Sequence, residues 1–167
     1  MMKKGIVLIG MPGCGKSTIG REIAKKMDFK FVDMDSFIEA CSQKTIEQLF
    51  QKGEDIFRQW ESKSCEVLRK LDKAVIATGG GAVKTKGNIE YFKDFTVIFI
   101  NRPLELIFED IDTEARPLLK DGKEKLITLY RERIDLYKKY GQIEIINDGT
   151  IDEVVEEIIK AVDLSYI

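Results

Sequence analysis

A glycine-rich stretch near the amino terminus carries the clearest chemical signal in the sequence. Residues 10–18 read GMPGCGKST, which fits the phosphate-binding pattern G-x-x-x-x-G-K-[ST]. Glycines let the backbone turn tightly, so that successive N–H groups point inward and bind an anion. The lysine would reach the outer phosphates, and the hydroxyl of Ser17 would bind magnesium. We expect the nucleotide-binding residues of this loop to be Gly13, Cys14, Gly15, Lys16, Ser17 and Thr18.

A strand and a helix flank this loop, as the motif requires. Residues 3–9 form an apolar run that ends in the loop, which is typical of a buried parallel strand. Within residues 18–27, apolar side chains recur at helical spacing and predict an amphipathic helix. The alternative interpretation is a glycine turn with an incidental lysine, and the strand–loop–helix context favours the phosphate loop.

Composition and charge limit the class of protein. The chain has 167 residues, 44% hydrophobic and 34% charged, so we expect one domain with a full core. The net charge of −2 gives no sign of nucleic-acid binding, and no transmembrane run or signal-peptide pattern is visible. Three cysteines without metal spacing fit a reducing compartment, and Cys14 is more simply a tolerated small residue than an oxidant-sensitive thiol. We therefore expect a cytoplasmic monomer without nucleic-acid or membrane partners.

Two acidic residues follow the second predicted strand, at residues 29–32. The chain contains no histidine, so a general base must be a carboxylate, a lysine, a tyrosine or a substrate group. Asp33 and Asp35 lie one residue apart, so on an extended segment their side chains point in different directions. One could face a metal ion and the other an acceptor. Alternatively, one of them caps the following helix, and the two roles can coexist.

A helical region between this strand and the next carries an arginine–glutamate pair. Residues 36–50 look helical in two pieces that break near 42–44, with Thr45 and Gln48 resembling a capping box, and a long helix is predicted over 55–71. Arg58 and Glu61 on that helix are i,i+3 neighbours and can pair on one face. Such a pair is most often surface decoration, so spacing alone only weakly favours a functional Arg58.

Three consecutive glycines follow the third predicted strand, at residues 74–77. Gly79, Gly80 and Gly81 would cost backbone entropy in a simple connection. They make sense where a ligand approaches the main chain or where N–H groups bind an anion. A flexible turn is the alternative interpretation.

The remaining elements complete an α/β pattern. We predict strands at 95–100 and 143–146, a helix opened by Pro103, a helix over 123–139 that carries Arg131 and Arg133, and a closing helix over 151–162. Residues 110–119 form a polar, loop-like stretch that suits a mobile lid and contains Arg116. The fold class is α/β, a three-layer αβα sandwich with a five-stranded parallel sheet.

The sequence resembles the shikimate kinases, within the nucleoside-monophosphate-kinase-like group of P-loop folds. The resemblance covers nearly the whole chain in the family's order. Its matching pieces are residues 10–20 (GMPGCGKSTIG), 33–35 (DMD) with Ile38 and Glu39, Ile46 with Leu49 and Phe50, Gly53 and Glu54 with Phe57, Arg58 and Glu61, residues 79–83 (GGGAV), residues 116–119 (RPLL), and Arg133 with Leu136 and Tyr137.

This resemblance implies ATP-dependent, magnesium-assisted phosphorylation of the 3-hydroxyl of shikimate, a step towards chorismate and the aromatic amino acids. It implies one domain over residues 1–167, with substrate-binding helices at about 35–71 and a lid at about 110–122. It also implies residue roles. The proton acceptor would be Asp35, and the transferred phosphoryl group would be stabilised by Lys16 and Arg116. The magnesium ion would be bound by Ser17 and Asp33. Shikimate would be held by Arg58, Arg133 and the backbone of Gly79, Gly80 and Gly81, with Glu61 holding Arg58 in place.

The sequence departs from the family pattern near the expected adenine site. Many relatives carry an arginine seven residues before the lid arginine, where this chain has Glu109, and the usual arginine-rich turn after the last strand is INDGT at residues 146–150. We therefore expect weaker ATP binding than is usual. Two other functions remain: a kinase of the same fold acting on gluconate or a nucleoside monophosphate, and a nucleotide-binding module without catalysis.

Overall fold

Five parallel strands form the central sheet of the computed structural model, which describes residues 2–113 and 120–163. The expected α/β class and parallel sheet are confirmed. The strands are β1 (Gly5–Ile9), β2 (Lys30–Asp33), β3 (Ala74–Ala77), β4 (Thr96–Asn101) and β5 (Ile143–Ile146). The helices are α1 (Lys16–Met27), α2 (Met34–Ser42), α3 (Ile46–Lys52), α4 (Glu54–Leu68), α5 (Leu104–Thr113), α6 (Lys120–Tyr140) and α7 (Ile151–Asp163), with short 3-10 helices at Ala82–Lys84 and Ile89–Phe92.

The strand order, β2-β3-β1-β4-β5, places β1 at the centre of the sheet. Leu8 of β1 is in register with Ala77 of β3, and Ile9 is in register with Phe99 of β4. After β1 the chain goes to one side of the sheet for β2 and β3 and to the other side for β4 and β5. Ligands of open α/β sheets bind at such a switch point, beyond the carboxyl ends of the strands.

The core lies on both faces of the sheet. All five residues of β1 and the first five of β4 are buried, as expected for parallel strands covered on both sides by helices. Helix α1 packs beside α7 on the sheet, with Ile19 and Ile23 of α1 fully buried. This rigid centre fixes the loops that leave β1 and β3.

Local signals in the sequence correctly placed the helices around β2. Thr45 and Gln48 form the predicted capping box at the start of α3, and α2 ends at the predicted break. Asp33 caps α2 by accepting a hydrogen bond from the Ser36 N–H at 3.0 Å. The predicted boundaries needed small corrections. Helix α4 ends at Leu68 rather than residue 71, and β2 includes Asp33.

The prediction of a loop-like lid over residues 110–119 was wrong in its first part. Helix α5 continues through Thr113, because its apolar side chains at Leu104, Ile107 and Phe108 keep helical spacing and pack on the core. The lid arginine, Arg116, lies outside the described residues. Helix α6 resumes the described chain at Lys120, three residues earlier than predicted.

Within the described parts of the chain, none of the helices has both the length and the apolar character needed to cross a membrane. The three cysteines are free thiols, and Cys14 and Cys65 are buried.

Candidate active site

The loop between β1 and α1 has the backbone that phosphate binding requires. Gly13 and Gly15 adopt positive φ angles of 80° and 97°, a region that side-chain-bearing residues rarely enter. Gly15 is also the N-cap of α1, so the first free N–H groups of the helix open onto the loop. The helix dipole adds a positive field at this end, and together these features make an anion site.

Lys16 lies folded onto its own loop. Its ammonium group donates hydrogen bonds to the carbonyl oxygens of Gly10 at 2.7 Å and Met11 at 2.9 Å, and the residue is 8% exposed. Its charge is therefore held at the centre of the loop by the loop's own backbone. The neighbouring Cys14 has no exposed surface, which agrees with its interpretation as a small residue tolerated in a tight loop.

Asn147 supports the phosphate loop from the carboxyl end of β5. The residue is 5% exposed, and its side-chain amide donates to the carbonyl oxygen of Cys14 at 2.9 Å. A Cβ atom on Gly15 would lie 3.0 Å from the Asn147 Nδ2 atom, so the asparagine is packed directly under the loop. Sequence reasoning noted the turn at 146–150 only as a departure from a family pattern and missed this support.

Ser17 and Asp33 form an oxygen pair beside the loop. The Ser17 hydroxyl donates to Oδ2 of Asp33 at 2.5 Å, while Oδ1 of the same carboxylate caps α2. The two predicted roles of Asp33 are therefore compatible. Burial alone would raise the pKa of Asp33, but the hydrogen bonds from Ser17 and Ser36 and the charge of Arg21 outweigh it, and the pKa is lowered. An ionised carboxylate next to a hydroxyl suits a hard divalent cation such as Mg²⁺.

A cavity of about 540 Å³ lies beside the phosphate loop, between α3, α4, α6 and the loop after β3. Its size is within the range of small-molecule sites. Its walls combine aromatic and aliphatic side chains with both signs of charge. The lining includes Pro12, Asp35, Ile46, Phe50, Phe57, Arg58, Glu61, Gly79, Gly80, Gly81, Leu129 and Arg133.

Arg58 is held on the cavity wall by two carboxylates. Its Nη1 atom donates to Glu61 at 2.9 Å, and its Nη2 atom lies 3.3 Å from Glu54. Glu61 is fully buried, and Lys84 also pairs with Glu54, at 3.2 Å. Burial raises the pKa of Glu61, while the positive charge of Arg58 acts in the opposite direction. The predicted Arg58–Glu61 pair is thus a partly buried positioning contact and not surface decoration.

Arg133 lies on α6 and lines the same cavity. The residue is 6% exposed, and its Nε atom is buried without a hydrogen-bond partner. Oδ1 of Asp35 and Oε2 of Glu61 are buried without hydrogen-bond partners in the same cavity. Buried polar groups in native proteins are nearly always paired, so these three atoms around one cavity are available to hydrogen-bond a polar ligand or water.

Asp35 lies in the first turn of α2, lines the cavity and interacts electrostatically with Lys16 of the phosphate loop. Its pKa is raised, mainly because burial disfavours the charged form and also because Asp33 and Glu39 repel a second negative charge. Lys16 and Arg58 act in the opposite direction. A carboxylate with a raised pKa at the edge of a cavity is a candidate general base.

Each of the three glycines after β3 lies close to a neighbouring group, and the neighbour of Gly80 is the rigid ring of Pro12. A Cβ atom would lie 3.1 Å from the carboxylates of Asp35 and Glu61 at Gly79, 2.7 Å from the Pro12 ring at Gly80, and 2.5 Å from the Arg58 guanidinium at Gly81. Close approach therefore requires a glycine at position 80, and it favours small residues at positions 79 and 81.

A second cavity, of about 500 Å³, opens on the other side of the phosphate loop. Arg102 lies in its wall and donates to the Gly13 carbonyl at 3.0 Å and to Asp110 of α5. Thr18 and Asn147 also line it. Sequence reasoning missed Arg102, and its position directly after β4, at the carboxyl edge of the sheet, is the signal that could have indicated it.

Most of the predicted site residues meet at this edge of the sheet. Nucleotide-binding candidates occupy the loop and the start of α1, and candidates for acceptor binding surround the first cavity. Arg116 is the exception, since it lies outside the described residues. On this fold, a loop suited to phosphate binding contributes Pro12 to the wall of a cavity that is lined by charged residues of both signs. This arrangement is typical of a P-loop kinase that phosphorylates a small molecule.

Comparison with known proteins agrees with this class. A family model described as shikimate kinase matches residues 12–163. A shikimate kinase of Clostridium botulinum is 56% identical over 162 residues, which cover 96% of this chain and 98% of that protein. A shikimate kinase of Acinetobacter baumannii, solved in complex with shikimate, superposes with a TM-score of 0.89 at 29% identity and covers 99% of this chain and 96% of its own. A shikimate kinase of Aquifex aeolicus superposes at 0.83 with 32% identity, covering 95% and 96%.

The chain therefore belongs to the shikimate kinase family. Members of this family are phosphotransferases that act on a hydroxyl group with ATP as the phosphoryl donor, and this is the activity of the protein.

The support of the phosphate loop by Asn147 can be tested by mutation. Asn147→Ala leaves the buried Cys14 carbonyl unpaired, so we expect a loss of about 1–3 kcal/mol in the free energy of unfolding. We also expect the KM for ATP to rise more than the KM for the acceptor. Urea denaturation and steady-state kinetics measure both. Asn101→Ala, which removes an exposed hydrogen bond to Glu144, is the matched control and should change neither. Equal effects of the two substitutions would contradict this role.

Proposed function

We propose that the first cavity holds shikimate with its carboxylate between Arg58 and Arg133 and its 3-hydroxyl beside Asp35, facing the γ-phosphate of ATP on the phosphate loop. The observation that carries this proposal is the set of three buried polar atoms without partners, on Asp35, Glu61 and Arg133, around one cavity. Shikimate offers groups of the required kinds. Its carboxylate pairs with guanidinium groups, and its hydroxyls donate to carboxylates.

Two arginines suit a carboxylate better than two lysines would. The guanidinium group is planar and always charged, so it pairs with a carboxylate through parallel hydrogen bonds. Glu54 and Glu61 hold Arg58 in one orientation, which lowers the entropic cost of binding. The shikimate ring would pack against the apolar part of the wall, where Phe57 and Leu129 lie. The backbone of Gly79, Gly80 and Gly81 closes the third side.

We assign proton acceptance to Asp35. This residue lines the cavity and interacts electrostatically with Lys16 of the phosphate loop, and its raised pKa makes the carboxylate a stronger base than an exposed aspartate. As the 3-hydroxyl oxygen attacks the γ-phosphorus, its proton passes to an Asp35 carboxylate oxygen, and ADP leaves with the bridging oxygen. The transferred group needs positioning and neutralisation of charge rather than covalent help from the protein.

We assign stabilisation of the phosphate charge to the loop. The N–H groups of residues 13–18 would hold the phosphates, and Lys16 would exchange its carbonyl partners for phosphate oxygens. Ser17 and Asp33 would hold Mg²⁺, which neutralises the phosphate oxygens when bound. The proposed role of Arg116 on the γ-phosphate is unchanged from the sequence prediction.

We also propose that residues 1–167 form one catalytic domain, with substrate-binding helices from about 35 to 71 and a lid at about 110–122. The enzyme would act as a cytoplasmic monomer without nucleic-acid or membrane partners. Three free cysteines support a reducing compartment. Large exposed apolar side chains among the described residues are few, at Met2, Phe50, Val67 and Ile146.

The choice of acceptor is tested by measuring ADP release from MgATP with shikimate, gluconate, AMP or no acceptor. We expect turnover with shikimate alone, because only its carboxylate and ring hydroxyls match the two arginines and Asp35. Nuclear magnetic resonance of the product should show phosphorus on the 3-oxygen. Turnover with gluconate or AMP but not shikimate would overturn the proposed binding mode and leave the kinase class intact.

The carboxylate contact is tested on α6. Arg133→Ala should weaken shikimate binding by about 2–5 kcal/mol, because a buried charge pair loses one partner. The KM for ATP should change little. Arg131→Ala removes an exposed arginine two positions away on the same helix and serves as the control. Calorimetric titration with shikimate measures the affinities. Unchanged affinity in Arg133→Ala would remove this residue from the site.

The role of Asp35 predicts opposite effects on activity and stability. Asp35→Asn should reduce kcat by about 10²–10⁴-fold, since the proton acceptor is lost. It should also stabilise the fold at neutral pH, because the raised pKa means that ionisation of Asp35 disfavours the folded state. In the wild-type enzyme, kcat/KM should fall with decreasing pH at a pKa above the ordinary value of 3.8. A variant that is inactive and less stable would point to a structural role.

A further inference from the structure

Tyr137 is a buried polar residue that the proposed mechanism does not use. It lies on α6, one helical turn after Arg133, and has no exposed surface. Its ring stacks on Phe99 of β4, with centroids 5.2 Å apart and an interplanar angle of 20°. Its hydroxyl donates a hydrogen bond of 2.5 Å to the carbonyl oxygen of Gly80. The contact joins the helix that carries Arg133 to the glycine loop of the acceptor cavity.

The hydrogen bond fixes the orientation of one peptide group. The Gly80 carbonyl and the Gly81 N–H belong to the same trans peptide, so they point in opposite directions. With the carbonyl turned towards Tyr137, the Gly81 N–H points away from it. Gly81 lines the acceptor cavity, and within residues 2–113 and 120–163 its N–H has no hydrogen-bond partner in the protein.

We infer that Tyr137 is a positioning residue for the carboxylate of the acceptor, because its hydroxyl holds the Gly80–Gly81 peptide so that the Gly81 N–H donates to that carboxylate beside Arg58 and Arg133. This inference rests on the proposed binding mode and adds a residue to it. Tyr137 touches no reacting atom and acts through the peptide, and its hydroxyl also interacts with the Arg133 side chain.

Two observations indicate that the Tyr137 hydroxyl remains a hydrogen-bond donor to the Gly80 carbonyl. Burial raises the pKa of Tyr137 to about 12, although the charge of Arg133 opposes the shift, so the hydroxyl keeps its proton throughout the working pH range. Gly80 also packs on the Pro12 ring, and this contact restrains the loop formed by Gly79, Gly80 and Gly81. Without the hydroxyl, the Gly80 carbonyl would lose its hydrogen-bond donor, and the peptide would be held less firmly by the Pro12 contact alone.

The test uses Tyr137→Phe, which keeps the ring and removes one oxygen. At saturating MgATP we expect the KM for shikimate to rise about tenfold, with kcat and the KM for ATP within about twofold of wild type. The wild-type preference for shikimate over its carboxamide analogue, measured as a ratio of kcat/KM values, should shrink by a similar factor. Tyr91→Phe removes a tyrosine hydroxyl outside the cavity and should leave all of these values unchanged.

A purely structural role gives a different pattern. Phe99→Leu removes the stacking partner of Tyr137 but leaves its hydroxyl, so it should lower the melting temperature without changing the preference for the carboxylate. Tyr137→Phe overturns the inference if the KM for shikimate is unchanged, or if shikimate and the carboxamide weaken equally. If Arg133→Ala weakens shikimate while Tyr137→Phe does not, only the role of Tyr137 fails. If neither does, the binding mode itself fails.

Discussion

The contact between Pro12 and Gly80 is the constraint on which the site depends. Parallel pairing of β1 with β3 brings the ends of these strands together, so the loop that follows each strand must lie against the other. Gly80 has no side chain, and the proline ring occupies the space where one would be. The phosphate loop and the loop formed by Gly79, Gly80 and Gly81 therefore share a surface. A phosphoryl group can pass between their ligands without a large movement of either loop.

The buried carboxylates at the carboxyl edge of the sheet suit catalysis and lower the stability of the fold. Asp35 and Glu61 both have raised pKa values because burial disfavours their charged forms. The arginines of the cavity offset part of this cost, and Arg58 does so through direct contact with Glu61. Carboxylates whose charged form is disfavoured are common in active sites, where catalysis needs a stronger base or where a charged ligand is paired with an opposite charge. The buried strands around the site provide the stability that compensates.

Much of the fold and site could be predicted because the relevant signals are local. About ten residues of sequence are enough to recognise the phosphate loop, the capping box at Thr45 or an apolar strand. Arg58 needed more than spacing, since an i,i+3 pair looks the same on a surface and in a pocket. Asn147 could not be found, because it bonds to a backbone carbonyl of the loop and such contacts leave no sequence pattern. Arg102 makes a contact of the same kind, and only its position directly after β4 could have indicated it. The carboxyl-terminal end of α5 was not predicted, because the polar residues there obscure the helical spacing of its apolar side chains.

The hydrogen bond from Asn147 to Cys14 joins residues 133 positions apart in the chain. During synthesis the phosphate loop emerges among the first residues, whereas its support arrives only when the last strand has been made. Domains fold as units once enough of the chain is available. A nascent chain that lacks β5 would therefore carry the complete nucleotide motif without a rigid site for the nucleotide. Full rigidity of the nucleotide site would then require completion of the sheet.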